Sequence, residues 1–438
     1  MAPLLYVAFC LLAYAVVQKR LTTTALTGPM VFVALGLLAS SSGLGMIESS
    51  QTDVANVVDV VFQATLVLVL FTDAAALHFS SWRADAALPG RLLGVGLPLT
   101  VVVGGLVAAV LLTDLGIWEA AIIGAIVAPT DAALGLAVIA NPRVPERIRQ
   151  ALDVESGLND GVSLPFVLIF IGLAQESADA GAIATFASQI GIAVAVGVAV
   201  GMIGGRVLVR AAKAGWMSTA WSSIAVISIA GIAFMAADGL GGSGFISTFV
   251  AGLAYGGATR GRIVENEAVA ADLGEALVQV SFLLFGALVL EPALGNLTWP
   301  VLVVAVLALT VVRMGPVALA LIGTGMKGPT VLYMGWFGPR GLATIVFAAL
   351  VVTEADLPGT GTIVTVAAVT VGLSVLAHGM SAYPGSQRYA SWIAGRDDTA
   401  ALGETEPVHQ HRFRSRTRGA NEAMHVSNEV HDTTGRGS

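Results

Sequence analysis

Apolar stretches of about 20 residues, each long enough to cross a hydrocarbon core as a helix, recur along most of the chain with short loops between them. In lipid no backbone polar group can be left open, so every stretch must be helical or be shielded by its neighbours. Thirteen such segments can be read, at about 3–17, 26–40, 54–79, 91–112, 118–140, 151–174, 183–205, 218–236, 244–258, 268–290, 300–322, 329–353 and 361–380. The predicted fold class is therefore an all-α polytopic membrane protein of about 13 transmembrane helices. Composition agrees: only 12% of residues are charged, against about 25% in an ordinary soluble domain. With a mean hydropathy of +0.83, this excludes a soluble globular protein, a nucleic-acid binder and a disordered chain. A single cysteine, Cys10, excludes a disulfide framework and a multi-cysteine metal site.

The cations fix an orientation. Lys19, Arg20, Arg83, Arg91, Arg143, Arg147, Arg149, Arg206, Arg210, Lys213, Arg260, Arg262 and Lys327 all fall in alternate loops. The opposite loops carry Glu48, Asp53, Asp114, Glu176, Asp179, Asp238 and Asp356 and no Lys or Arg. Basic loops face the cytoplasm, which places the amino terminus outside and the carboxyl terminus inside, in the cytoplasmic (inner) membrane. The first stretch has no basic residue before it and Lys19-Arg20 after it, so it reads as a span rather than a cleaved leader. Residues 381–438 differ in kind. They are rich in Arg, Asp, Glu and Thr and hold His409, His411, His425 and His431, and are expected to form a largely disordered cytoplasmic tail.

An ionisable residue within a span is a functional candidate by default, and here such residues cluster. The third segment carries Asp73, with Asp59 a weaker candidate nearer its outer end. The fifth carries Thr130 and Asp131, the sixth Glu155, Ser156, Asn159 and Asp160, the eleventh Arg313 and the twelfth Arg340. Ser156 and Asp160 are four apart and share one helix face, offering hard oxygens to a small cation; Glu155 and Asn159 share the adjoining face, suited to holding an arginine. Pro129, and Gly338 with Pro339, remove backbone donors in mid-membrane. A broken helix at that depth is tolerated where it lines a cavity, the usual device of transporter binding sites. Asp131 stands where a new half-helix would start, where the dipole favours an anion, and Arg340 can serve the mirror role at carbonyl ends. The two broken segments are seven apart, an odd number, so repeats over about 1–174 and 218–380 would be inverted, as alternating access requires. Either Arg313 or Arg340 is expected to pair with Glu155. That leaves Asp160 as the first choice for exchangeable charge. His78 and His378 have no companion at metal-ligand spacing.

Ala128-Pro129-Thr130-Asp131, Glu155-Ser156-Gly157-Leu158-Asn159-Asp160-Gly161 and Gly335-Trp336-Phe337-Gly338-Pro339-Arg340-Gly341 occur in this order. At these motifs the sequence resembles the cation:proton antiporter-1 family, the bacterial sodium/proton antiporters to which the eukaryotic sodium/proton exchangers also belong. The resemblance covers residues 1–380. It implies inverted six-helix repeats, two crossed broken helices, a mobile core domain and a homodimer formed through an interface domain. It implies that Asp160 binds cation or proton, with Ser156, Thr130 and Asp73 completing the sodium shell. Some relatives have glutamate where Asp73 stands, so a water can bridge the shorter side chain. The Asn159-Asp160 pair is the form associated with electroneutral members, and Glu155 with an arginine would hold Asn159.

The function expected is secondary antiport of a monovalent cation, sodium first and also lithium, for a proton, one for one. Membrane lipid is the surrounding partner; no cofactor and no nucleic acid are called for. A charged, empty carboxylate in a cavity of low dielectric is costly, so proton and cation compete for it and occupancy licenses the crossing. A potassium/proton antiporter has the same architecture. A cation channel would want buried carboxylates but not inverted broken helices, and an enzyme would need a nucleophile and base that mid-membrane positions do not offer.

Overall fold

A computed structural model describes residues 2–21, 24, 26–47, 52–77, 87–175, 180–259, 268–354, 356–396 and 403–406. Its elements are helical throughout, with no strand among the described residues. Among the described residues nine helices are long and apolar enough to cross a membrane: Pro3–Leu21, Val58–Ala75, Ala87–Leu111, Glu146–Gln175, Thr185–Lys213, Trp221–Gly239, Val269–Gly295, Trp299–Ala320 and Thr360–Ala394. Shorter apolar helices, Gly28–Ala39, Gly244–Thr259 and the interrupted ones described below, fill the places between them. The all-α polytopic expectation holds.

Side chains sort by solvent in the manner of a membrane protein. Leu4, Leu12, Val102, Val110, Ile203 and Leu332 are exposed, forming a surface that hydrocarbon can wet. Inside, backbones approach closely where residues are small. Gly197 and Gly201 of the Ala180–Lys213 helix lie against the backbone carbonyls of Ser247 and Ala251. This locks that helix onto Gly244–Thr259.

Two helices are interrupted in mid-course. The first runs Ile117–Ile126, leaves helical hydrogen bonding, and resumes as Ala132–Ile139. The second runs Gly328–Trp336 and resumes as Leu342–Glu354. Pro129 and Pro339 stand within the interruptions, where each lacks the N–H that would continue the ladder. The interruptions touch: the Asp131 N–H donates to the Pro339 carbonyl at 2.7 Å. Glycine is required at two positions beside this crossing. A Cβ on Gly338 would overlap the Arg313 guanidinium, and one on Gly341 would overlap the Asp131 carboxylate.

Three features depart from the sequence reading. The 300–322 segment is one span, Trp299–Ala320, but it is broken at Thr310 into Trp299–Leu309 and Val311–Ala320. Between them Thr310 leaves the helical region (φ −114°, ψ −94°), and its hydroxyl donates back to the Val306 carbonyl at 2.8 Å, a bond that competes with the helix ladder. The last helix does not stop at 380 but continues to Ala394, so the expected tail boundary moves. Buried Ala382, Tyr389 and Ile393 hold the extension, and Tyr389 stacks on Tyr333 with ring centroids 4.2 Å apart. Residues 403–406 are also docked rather than free. Glu404, fully buried, accepts hydrogen bonds from the Lys327 N–H and the Thr330 hydroxyl, both at 2.8 Å, at the start of the second interrupted helix. His78, Arg83 and the four tail histidines lie outside the described residues.

Candidate functional site

The site is built where the long Glu146–Gln175 helix passes the two interruptions. Its buried face carries Glu155, Ser156, Asn159, Asp160 and Ser163. The Ser156 hydroxyl donates to the Thr130 carbonyl at 2.8 Å, and the Asn159 amide donates to the Thr130 hydroxyl oxygen at 2.6 Å. The helix thus takes up polar groups that the first interruption leaves without helical partners. Thr130, Asp131, Leu152, Ser156, Phe337 and Pro339 are among the residues lining a narrow crevice. It lies on the side of the crossing toward the basic 141–149 turn.

Asp160 is buried, at 9% exposure, one helical turn beyond Ser156. Asp73 is also buried, near the end of the Thr52–Ala75 helix, which packs against the Asp160 helix. Asp59 stands fourteen residues earlier on that helix and is bonded by Gln63 at 2.7 Å, apart from the crossing.

The remaining charges hold the framework. Arg313 and Glu155, 1% and 2% exposed, form a two-pronged pair at 2.5 and 2.8 Å. Of the two arginines that the sequence left open, Arg313 is the partner. Asn159 is held by Thr130; among the described contacts neither arginine bonds it, and its own Oδ1 has no hydrogen-bond partner. Glu155 thus anchors the eleventh segment, with both its oxygens on Arg313.

Asp131 and Arg340 divide the helix ends between them. The Asp131 Oδ1 accepts from the N–H groups of Ala133 at 2.7 Å and Leu134 at 3.2 Å, capping Ala132–Ile139. Its Oδ2 accepts from the Leu342 N–H at 2.8 Å, at the start of Leu342–Glu354. One carboxylate thus faces two helix N-termini, where partial positive charge gathers. Arg340, fully buried, sends Nη1 to the carbonyls of Gly338 at 3.0 Å and Pro129 at 3.4 Å, the electronegative side of both interruptions.

Sequence reasoning passed over Ser374 and Glu119 and weighed His378 only as a metal ligand. Ser374 accepts from the Arg340 N–H at 2.6 Å. Glu119 ties the Gly116 N–H at 2.7 Å to the Gly359 N–H at 2.8 Å, joining the start of the first interrupted helix to the start of the last helix. Its position three residues after Gly116 is the capping-box spacing, a signal available in the sequence. Ser374 and His378 are four apart on one helix face but carried no such mark.

Residues 7–384 match the family described as sodium/hydrogen exchanger, transmembrane. Among similar proteins is the K(+)/H(+) antiporter NhaP of Alkalimonas amylolytica, 28% identical over 384 residues, covering 85% of this chain and 65% of that one. Another is the K(+)/H(+) antiporter NhaP2 of Shewanella oneidensis, 29% identical over 364 residues and covering 80% and 61%. The chain spans less than two thirds of the length of these relatives. The fold is that of the sodium proton antiporter MjNhaP1 of Methanocaldococcus jannaschii at pH 8, with a TM-score of 0.73 at 21% identity, covering 89% of this chain and 100% of that one.

Proposed function

The chain belongs to the family of transmembrane sodium/hydrogen exchangers, and we propose on that premise that it is a secondary antiporter, exchanging a monovalent cation for a proton by alternating access. The observation that carries the reading is Asp160: a buried carboxylate one turn from Ser156, on the helix that binds Thr130 within the crossed interruptions. Glu155 is committed to Arg313 and Asp131 to two helix N-termini. Asp160, with the oxygens of Ser156 and Thr130 and with Asp73, supplies the charge that proton and cation take in turn. With either aboard the site is neutral and the mobile helices can cross the membrane; charged and empty, they cannot do so cheaply. One titrating carboxylate exchanges one proton for one monovalent cation, so no net charge moves. On this reading the two interrupted helices are partners in inverted repeats, the protein works as a homodimer in the cytoplasmic membrane, and the basic loops face the cytoplasm.

Sodium, with lithium, is the first cation proposed, on the strength of the motifs around Thr130 and Asp160. Potassium is the second, favoured by the names of the relatives in Alkalimonas and Shewanella. The test is proton movement in proteoliposomes with sodium, lithium and potassium added in turn. Asp160→Asn is expected to abolish exchange, and cation-driven proton movement that survives the substitution overturns the assignment. A rate that follows an imposed membrane potential overturns one-for-one exchange.

A further inference from the structure

The interruption at 337–341 leaves backbone groups to be satisfied at mid-membrane depth, where every one matters. They can be traced in turn. The Pro339 carbonyl takes the Asp131 N–H, the Gly338 carbonyl takes Arg340 Nη1, and the Leu342 N–H goes to Asp131 Oδ2. Two further groups, the Trp336 carbonyl and the Arg340 N–H, are met by one turn of the last helix. The Arg340 N–H donates to Ser374 Oγ at 2.6 Å. His378 Nδ1 lies 3.0 Å from that same Oγ, and its Nε2 lies 3.0 Å from the Trp336 carbonyl, which the Gly338 N–H also approaches, at 2.8 Å.

A carbonyl only accepts, so Nε2 carries a proton and donates to Trp336. Nδ1 faces two oxygens of one residue, Ser374 Oγ at 3.0 Å and the Ser374 carbonyl at 3.1 Å. The contacts run from the Arg340 N–H to Ser374, from Ser374 to the imidazole, and from His378 Nε2 to the Trp336 carbonyl, and close on the peptide segment from which they started. The Trp336 ring packs tilted against the imidazole at 4.9 Å, and Trp336 Nε1 donates to Ser381 at 2.9 Å on the same helix. Ser374 and His378 are both buried, at 0% and 1% exposure.

We propose that His378, acting through Ser374 and the Trp336 carbonyl, is a positioning residue that sets the backbone of the second interruption. It thereby places Arg340 and the Asp131-bonded start of Leu342–Glu354 beside the cation site. It touches no transported ion. Its effect is on how well the interruption matches the cation, which rests on the antiport reading above. The charged groups facing this region are Arg340 and Asp131 of the interruptions and the Arg313–Glu155 pair from the neighbouring helices.

The test compares His378→Leu, His378→Gln and Ser374→Ala with the parent chain in proteoliposomes, reading cation KM and maximal rate separately, with reconstituted protein measured in each case. His378→Leu and Ser374→Ala are expected to raise cation KM about fivefold or more, the scale of one net hydrogen bond, with maximal rate per molecule within about twofold. Gln can accept at Oε1 and donate from Nε2 in the imidazole's place, so His378→Gln is expected to recover most of the loss. A residue needed only for folding would lower protein yield and maximal rate and leave KM alone; that result overturns the proposal, as does failure of Gln to do better than Leu. A parent chain that moves no proton for any cation would instead overturn the antiport reading itself.

Discussion

Removing one member of the Glu155–Arg313 pair should be among the most damaging single changes to the framework. The two groups are 1% and 2% exposed and joined by hydrogen bonds of 2.5 and 2.8 Å, so neither can turn to water when its partner is lost. Breaking such a pair strands a buried charge, at a cost of about 3–5 kcal/mol. At about 1.4 kcal/mol per power of ten, that is a shift of roughly two to four powers of ten in the folded-to-unfolded ratio. Arg313→Met keeps most of the side-chain volume and removes the charge; Glu155→Gln does the same on the other side. Each alone should show the large loss. The double variant should return most of it, since replacing both ions by neutral groups of similar volume is close to neutral. Reversible unfolding in mixed micelles, followed by tryptophan fluorescence, reads the four corners of this cycle. Single variants that each cost under about 1 kcal/mol, or a double variant as unstable as the sum of the singles, would refute the reasoning, because either result means that the pair is hydrated.

Two further outcomes follow from the site. Asp131→Ala removes the acceptor for three backbone N–H groups on two helices and should destabilise by about 2–4 kcal/mol, more than the loss of a single N-cap; Asp131→Asn should retain part of that, and both are readable in the same unfolding assay. Competition of proton and cation for one carboxylate sets a sign with pH. On the antiport reading, apparent cation KM should rise as pH falls through the acid range, by up to about tenfold per unit, while maximal rate at saturating cation holds. A KM flat across the acid range in a dye-quench assay would remove the shared site.

Much of the architecture was legible because lipid enforces it. Each span must be apolar for about 20 residues, and a proline in such a run removes a backbone donor at depth, so Pro129 and Pro339 marked both interruptions, whereas Pro165, Pro316 and Pro384 stand within helices. The charges within spans were visible for the same reason. Their pairing was not. Whether Arg313 or Arg340 meets Glu155 depends on how the eleventh segment turns after Thr310, and that break carries neither proline nor glycine. The reach of Asp131 to Leu342 and the contacts from Arg340 to His378 join parts of the chain that no periodicity relates. The extension to Ala394 was hidden by composition, because Arg388, Gln387 and Ser386 read as tail while Ala382, Tyr389 and Ile393 form the buried face of one more stretch of helix.

The carboxylate of residue 131 couples stretches of chain 211 positions apart. It roofs residue 341 so closely that no side chain fits there. The two interrupted helices therefore have a common pivot. A tilt of either drags the other, and a rigid cross, not a single sliding rod, is the smallest piece that can be displaced intact. Bulk added at residue 341 meets residue 131 directly, on a stretch of chain remote in sequence.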